Sequence, residues 1–131
     1  MFDLRPITST GLSLIVLLVS FDPASAFLAY ISNEKGNSIS VIDTDKMEVI
    51  ATIKTGQRPR GIEVSRDGKF VYVAVGDDDT VQIIDTKSLS IVGELPSGPD
   101  PEQFALDPTG KSLYVANEND AMVTVIDLDW N

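Results

Sequence analysis

The chain has 131 residues, 43% of them hydrophobic, and twenty Asp and Glu against ten Lys and Arg give it a formal charge of −10. That balance argues against nucleic acid or an anionic membrane surface as a partner. With no Cys and no His, the chain also lacks thiolate nucleophiles, disulfides, Cys/His zinc sites, covalent c-type haem attachment and His-based proton relays, so neither a catalytic residue nor a cofactor is expected of it.

The first segment is "MFDLRPITSTGLSLIVLLVSFDPASA", residues 1–26. Arg5 and the amino terminus precede an apolar stretch from Leu12 to Val19, and Ala24-Ser25-Ala26 supplies the small-x-small pattern that signal peptidase requires. The apolar stretch is far short of the ~20 residues that span a bilayer. Residues 1–26 therefore read as a signal peptide, leaving 27–131 as a periplasmic or secreted domain that does not enter the membrane once the signal is cleaved.

The remainder repeats. Tyr30, Tyr72 and Tyr114 are spaced by 42 positions, as are Asp43, Asp85 and Asp127; Gly56 with Gly98, Pro59 with Pro101, and Gly68-Lys69 with Gly110-Lys111 share that offset. A period in the low forties with short β-rich segments points to propeller blades. In the middle period, strands are expected at Gly61–Ser65, Phe70–Val75, Thr80–Asp85 and Ser90–Leu95, each rich in β-branched and aromatic residues and bounded by turn residues. Gly68 and Gly110 suit positive φ in a tight hairpin. The strands are nearly continuously apolar, as expected of blades covered on both faces, and the gaps are too short for crossover helices. The expected fold is all-β: an incomplete propeller of four-stranded antiparallel blades, with a partial blade at 27–55, a complete one at 56–97 and a partial one at 98–131.

"YISNEKGNSISVIDTDKMEVIATIKTGQRPRGIEVSRDGK" resembles the repeat named for its Tyr-Val-Thr-Asn (YVTN) motif, and "YVAN" at Tyr114 to Asn117 is nearest to that name. More specifically, "RPRGIEVS", "GDDDTV", "SGPDPEQFALDPTGK" and "YVANEND" are similar to propellers associated with pyrroloquinoline-quinone (PQQ)-dependent alcohol catabolism in Gram-negative bacteria. The resemblance implies about seven blades, the first completed by a C-terminal strand. Ten strands fit into residues 27–131, so the chain reads as an N-terminal fragment of such a propeller. Simple head-to-tail ring closure would leave defective blades, and an isolated segment with uncovered faces and edges is expected to be marginal or aggregation-prone.

One propeller face is expected to gather "NEKGNS", "TGQRPR", "GDDD", "SGPDPEQ" and "NENDA", and this is the candidate partner-binding face. Its candidate residues are Arg58, Arg60, Asp77, Asp78, Asp79, Asp100, Glu102, Asn117 and Glu118. Adjacent carboxylates do not converge as Ca²⁺ ligands do, so Asp77, Asp78 and Asp79 read as a hairpin tip rather than a metal site. Arg58 and Arg60 bracket Pro59 and can face an anion or an acidic partner; the favoured reading pairs them with Asp77 to Asp79 in the same blade. At the matching positions one period later stand Asp100 and Glu102, so oppositely charged loops can also link across the blade boundary. The recurrence of Asp43, Asp85 and Asp127 points to a structural turn.

The functional expectation is an exported, non-catalytic propeller that binds or scaffolds a protein partner. The resemblance implies an accessory to quinoprotein alcohol oxidation, with a quinoprotein dehydrogenase or cytochrome as that partner. The alternatives are a redox or enzyme subunit whose active residues lie in further blades, and a surface or adhesion repeat protein.

Overall fold

A computed structural model describes residues 27–129; the expected signal peptide lies outside the described residues. Ten strands form three antiparallel sheets. The first holds β1 (Leu28–Asn33), β2 (Ser38–Asp43) and β3 (Glu48–Lys54); the second holds β4 (Pro59–Val64), β5 (Phe70–Val75), β6 (Thr80–Asp85) and β7 (Ser90–Pro96). The third holds β8 (Pro101–Leu106), β9 (Ser112–Asn117) and β10 (Met122–Asp127). Every sheet is a meander of sequence neighbours, the arrangement that short turns permit. Among the described residues no helix is long and apolar enough to cross a membrane.

The repeat is carried by strand register as well as by sequence. Tyr30 lies opposite Val41, Tyr72 opposite Ile83 and Tyr114 opposite Val125. Bulges recur at Val41/Ile42 and Ile83/Ile84, and again near the start of β4 and of β8. The innermost strand of the second sheet therefore begins at Pro59, two residues before the expected Gly61: Pro59 pairs with Val75, and the bulge between Pro59 and Ile62 absorbs the irregular entry.

Turn chemistry repeats too. The Oδ1 of Asp43 accepts from the N–H groups of Asp45 and Lys46, that of Asp85 from Lys87 and Ser88, and that of Asp127 from Asp129. These are Asx-type turns, the structural role expected of the recurring Asp. Backbone hydrogen bonds, led by those from Lys46 and from Ser88 respectively, lower the Asp43 and Asp85 pKa values. Gly68 and Gly110 adopt φ of 72° and 76°, the left-handed conformation that suits glycine.

Packing between sheets makes the three a fan. Val71, Val73, Val75 and Ile84 point from the second sheet toward Ile39, Val41 and Ile53 of the first. Tyr72, Val81, Ile83 and Leu95 point the other way, toward Leu106, Leu113, Val115 and Ile126 of the third. Alternate side chains of β5 thus enter two different cores, which is why its sequence is continuously apolar. β4 approaches β8 so closely that a Cβ on Gly61 would stand 2.7 Å from the Glu102 carbonyl oxygen.

Candidate functional site: an ion-paired loop face

Two loop types meet on one face, as expected: those entering the innermost strands and those joining each sheet's second and third strands in the blade. They are knitted together by a repeated staple. Asn37 and Asp79, one period apart, both adopt the left-handed conformation, with φ of 49° and 54°. Their carbonyls accept from Thr55 N–H and Ser97 N–H, and their side-chain Oδ1 atoms accept from Arg58 N–H and Asp100 N–H at 3.0 and 2.9 Å. Each staple ties one sheet to the loop that enters the next. Arg58 and Asp100 are themselves left-handed, with φ of 58° and 52°, a conformation that costs a non-glycine residue about 1–2 kcal/mol and that these bonds offset.

On this belt lies a charge network spanning three sheets. Arg58 donates from Nη1 to Asp77 Oδ1 at 2.7 Å, and lies 3.5 Å from Asp100 Oδ1 and 3.7 Å from Glu34 Oε1. Arg60 pairs through Nη2 with Glu102 at 2.7 Å and through Nη1 with Glu118 at 2.8 Å, with Glu34 at 3.9 Å. The hydrogen bonds to Asp77 and Glu118, respectively, raise the pKa values of Arg58 and Arg60 further above the usual guanidinium range.

The expected local pairing therefore holds for Arg58, but Arg60 corrects it. Its side chain crosses to the third sheet because β4 lies against β8, leaving Glu102 and the loop after β9 nearer than the hairpin tip. The three aspartates also separate in role: Asp77 holds Arg58, Asp78 Oδ2 accepts from Gln57 N–H at 3.0 Å, and Asp79 caps Asp100 N–H. Asp100 is buried rather than presented, with Oδ1 lacking a hydrogen bond while facing Arg58. A Cβ on Gly76 would stand 2.7 Å from that oxygen.

Asn117 is likewise not on the exposed face. It is buried, donating to Ser97 Oγ and accepting from Thr124 Oγ1, beneath Gly98, whose own N–H donates to Thr124 Oγ1. The equivalent inner contact in the preceding repeat is Gly56 N–H to Gln82 Oε1. Glu34 and Asn37 were missed by sequence reasoning. The shared offset of Asn37 and Asp79, polar residues closing equivalent loops, is the signal that could have found the staple. Among the described residues no group of three or more Asp or Glu is placed to hold a metal ion.

Stacked four-stranded meanders, joined edge-inward with a repeated register, define consecutive blades of a β-propeller. The chain belongs to the family described as "Lactonase, 7-bladed beta-propeller", whose model matches residues 19–131. No curated protein matches the sequence. Among solved structures, Kuenenia stuttgartiensis hydrazine synthase is 28% identical, with a TM-score of 0.73 over 76% of this chain and 29% of that one. "Dihydro-heme d1 dehydrogenase NirN in complex with DHE" is 24% identical, with a TM-score of 0.67 over 77% of this chain and 22% of that one. A functionally unknown protein from Desulfotomaculum acetoxidans is 18% identical, with a TM-score of 0.62 over 76% and 37% of the two chains. The chain thus spans well under half the length of each of these structures.

Proposed function

We propose that this chain is an exported, non-catalytic binding propeller of the YVTN type, an accessory to periplasmic PQQ-dependent alcohol oxidation. Its proposed partner is a quinoprotein dehydrogenase or the cytochrome that serves it. The observation that carries the reading is the loop face, where Arg58 and Arg60 are spent on neighbouring carboxylates rather than aimed at a substrate. A rigid platform rimmed by exposed acids is suited to holding a protein. The resemblance of "GDDDTV" and "YVANEND" supplies the alcohol-oxidation context.

The test is direct binding of the purified chain to a purified quinoprotein alcohol dehydrogenase and to its cytochrome, by calorimetry at low and moderate salt. Saturable binding, weakened when Glu102 and Glu118 become Gln, supports the reading. No heat with either protein rejects it.

The family description favours a second reading, hydrolysis of a lactone ring. The redox-subunit alternative keeps its place beside it, since two of the similar structures carry enzyme names, with the active residues then lying in further blades. Incubating the full chain with an aldonolactone and following acid release decides the lactone reading: turnover abolished by a loop-face substitution would establish it. Unchanged background hydrolysis would remove it.

A further inference from the structure

We infer that the chain associates with copies of itself head to tail, the third blade of one copy packing on the first blade of the next. The argument rests on contacts already present within the chain. In the middle blade, Tyr72, Val81 and Ile83 are covered by Leu113, Val115 and Ile126 of the following blade. One repeat later the first set becomes Tyr114, Val123 and Val125, all exposed. Two repeats earlier the second set becomes Ala29, Ile31 and Ile42, on a face with no blade of this chain against it among the described residues. The chain thus presents both halves of an interface it has already built internally, one at each end of the fan, and a second copy is a partner in which the complementary face exists.

The contact is heterologous, so it does not saturate at two copies. Its innermost part is weaker than the internal interface because the first blade has three strands, with β1 at the inner edge. Its loop side is electrostatically adverse. Across the junction Glu102 takes the place of Arg60 and Glu34 the place of Glu118, so acid meets acid where the internal boundary has ion pairs. Apolar faces draw the copies together and the loop face opposes them, so screening by salt strengthens the association.

The experiment uses the chain expressed from its full sequence and purified in the form the cell leaves it. Sedimentation velocity across a concentration series reads its mass. The expected result is a weight-average mass that rises beyond two copies and rises further at higher salt. Val125→Glu blocks the third-blade face and Ile31→Glu the first-blade face; both positions are exposed, so each variant is expected to keep the wild-type circular dichroism. Each alone weakens association about tenfold or more. Mixed in equal amounts, they form a pair and nothing larger, because one intact face remains on each. Val123→Glu and Ala29→Glu repeat the design should either first variant misfold.

Three results would overturn the inference. They are a wild-type chain that stays monomeric throughout, a single variant that still associates like wild type, and a mixture that forms no pair.

Discussion

Val81 in the middle blade and Val123 in the third are the same residue one repeat apart, yet the first is 0% exposed and the second 60%. Tyr72 and Tyr114 differ in the same way, 7% against 46%, and on the other side Val73 is 0% exposed while Ile31 is 47%. Strand register and turn chemistry are alike in these blades. What differs is whether another blade lies against the face. Burial in a repeat fold is therefore conferred by the neighbour, and stability is a sum of blade and interface contributions rather than a property of one core.

The sharpest way to break that comparison is to remove matched side chains. Ile83→Ala opens a cavity between the second and third blades and is expected to cost about 2–5 kcal/mol. Val125→Ala, at the equivalent place one repeat on, is expected to fall within about 0.5 kcal/mol of wild type. Urea unfolding measured under conditions where the chain is monomeric checks both, and equal losses at the two sites would refute the neighbour argument. Next in size is Gly61→Ala. Its Cβ would meet the Glu102 carbonyl, which is backbone and cannot swing away, so overpacking should cost about 1–3 kcal/mol. Gln103, the exposed residue one repeat later, should accept Ala within about 0.5 kcal/mol.

The middle blade was far more legible in sequence than the loop face. The 42-residue offset of Tyr, Asp, Gly and Pro placed the strands, and only the start of β4 moved, because a bulge at a proline is not encoded in apolar alternation. The turn role of Asp43 and Asp85 followed from repetition alone. The course of Arg60 did not, since it depends on how closely β4 lies to β8 in space. Asn117 looked like part of an exposed polar loop because "YVANEND" is polar, yet its amide points inward to Ser97 and Thr124. A polar residue at a strand end can serve the interior as readily as the solvent, and only the third dimension separates the two.

The charge network extends the same comparison to electrostatics. Arg58→Ala removes mainly a within-blade pair, while Arg60→Ala removes two cross-blade pairs from a less exposed guanidinium, with a side chain 21% accessible against 36%. Arg60→Ala should therefore cost more, though no more than about 1 kcal/mol, and the difference should shrink at high salt. A larger loss at Arg58, or one indifferent to salt, would point to the left-handed backbone there rather than to its ion pairs.

The smallest effect expected is one of pH, at the hairpins of the second and third blades. Ser65 Oγ and Lys69 N–H donate to Asp67 Oδ1, and these bonds hold the Asp67 pKa at about 2, below its ordinary 3.8. In the third blade Asp107 stands where the second has Ser65. It accepts from Thr109, Lys111 and Ser112 and is lowered more strongly still. A carboxylate depressed on folding stabilises the fold above its unfolded pKa, and that contribution disappears as pH falls through the folded value. Asp67→Asn lacks it at every pH. Its Tm should lie below wild type by a constant amount above pH 3.8 and converge on wild type near pH 2. Asp107→Asn should converge at lower pH, so the two hairpins separate on the acid limb even though they occupy the same place in successive blades. A Tm gap for Asp67→Asn that stays open at pH 2 would mean that the turn depends on the shape of the side chain and not on its charge.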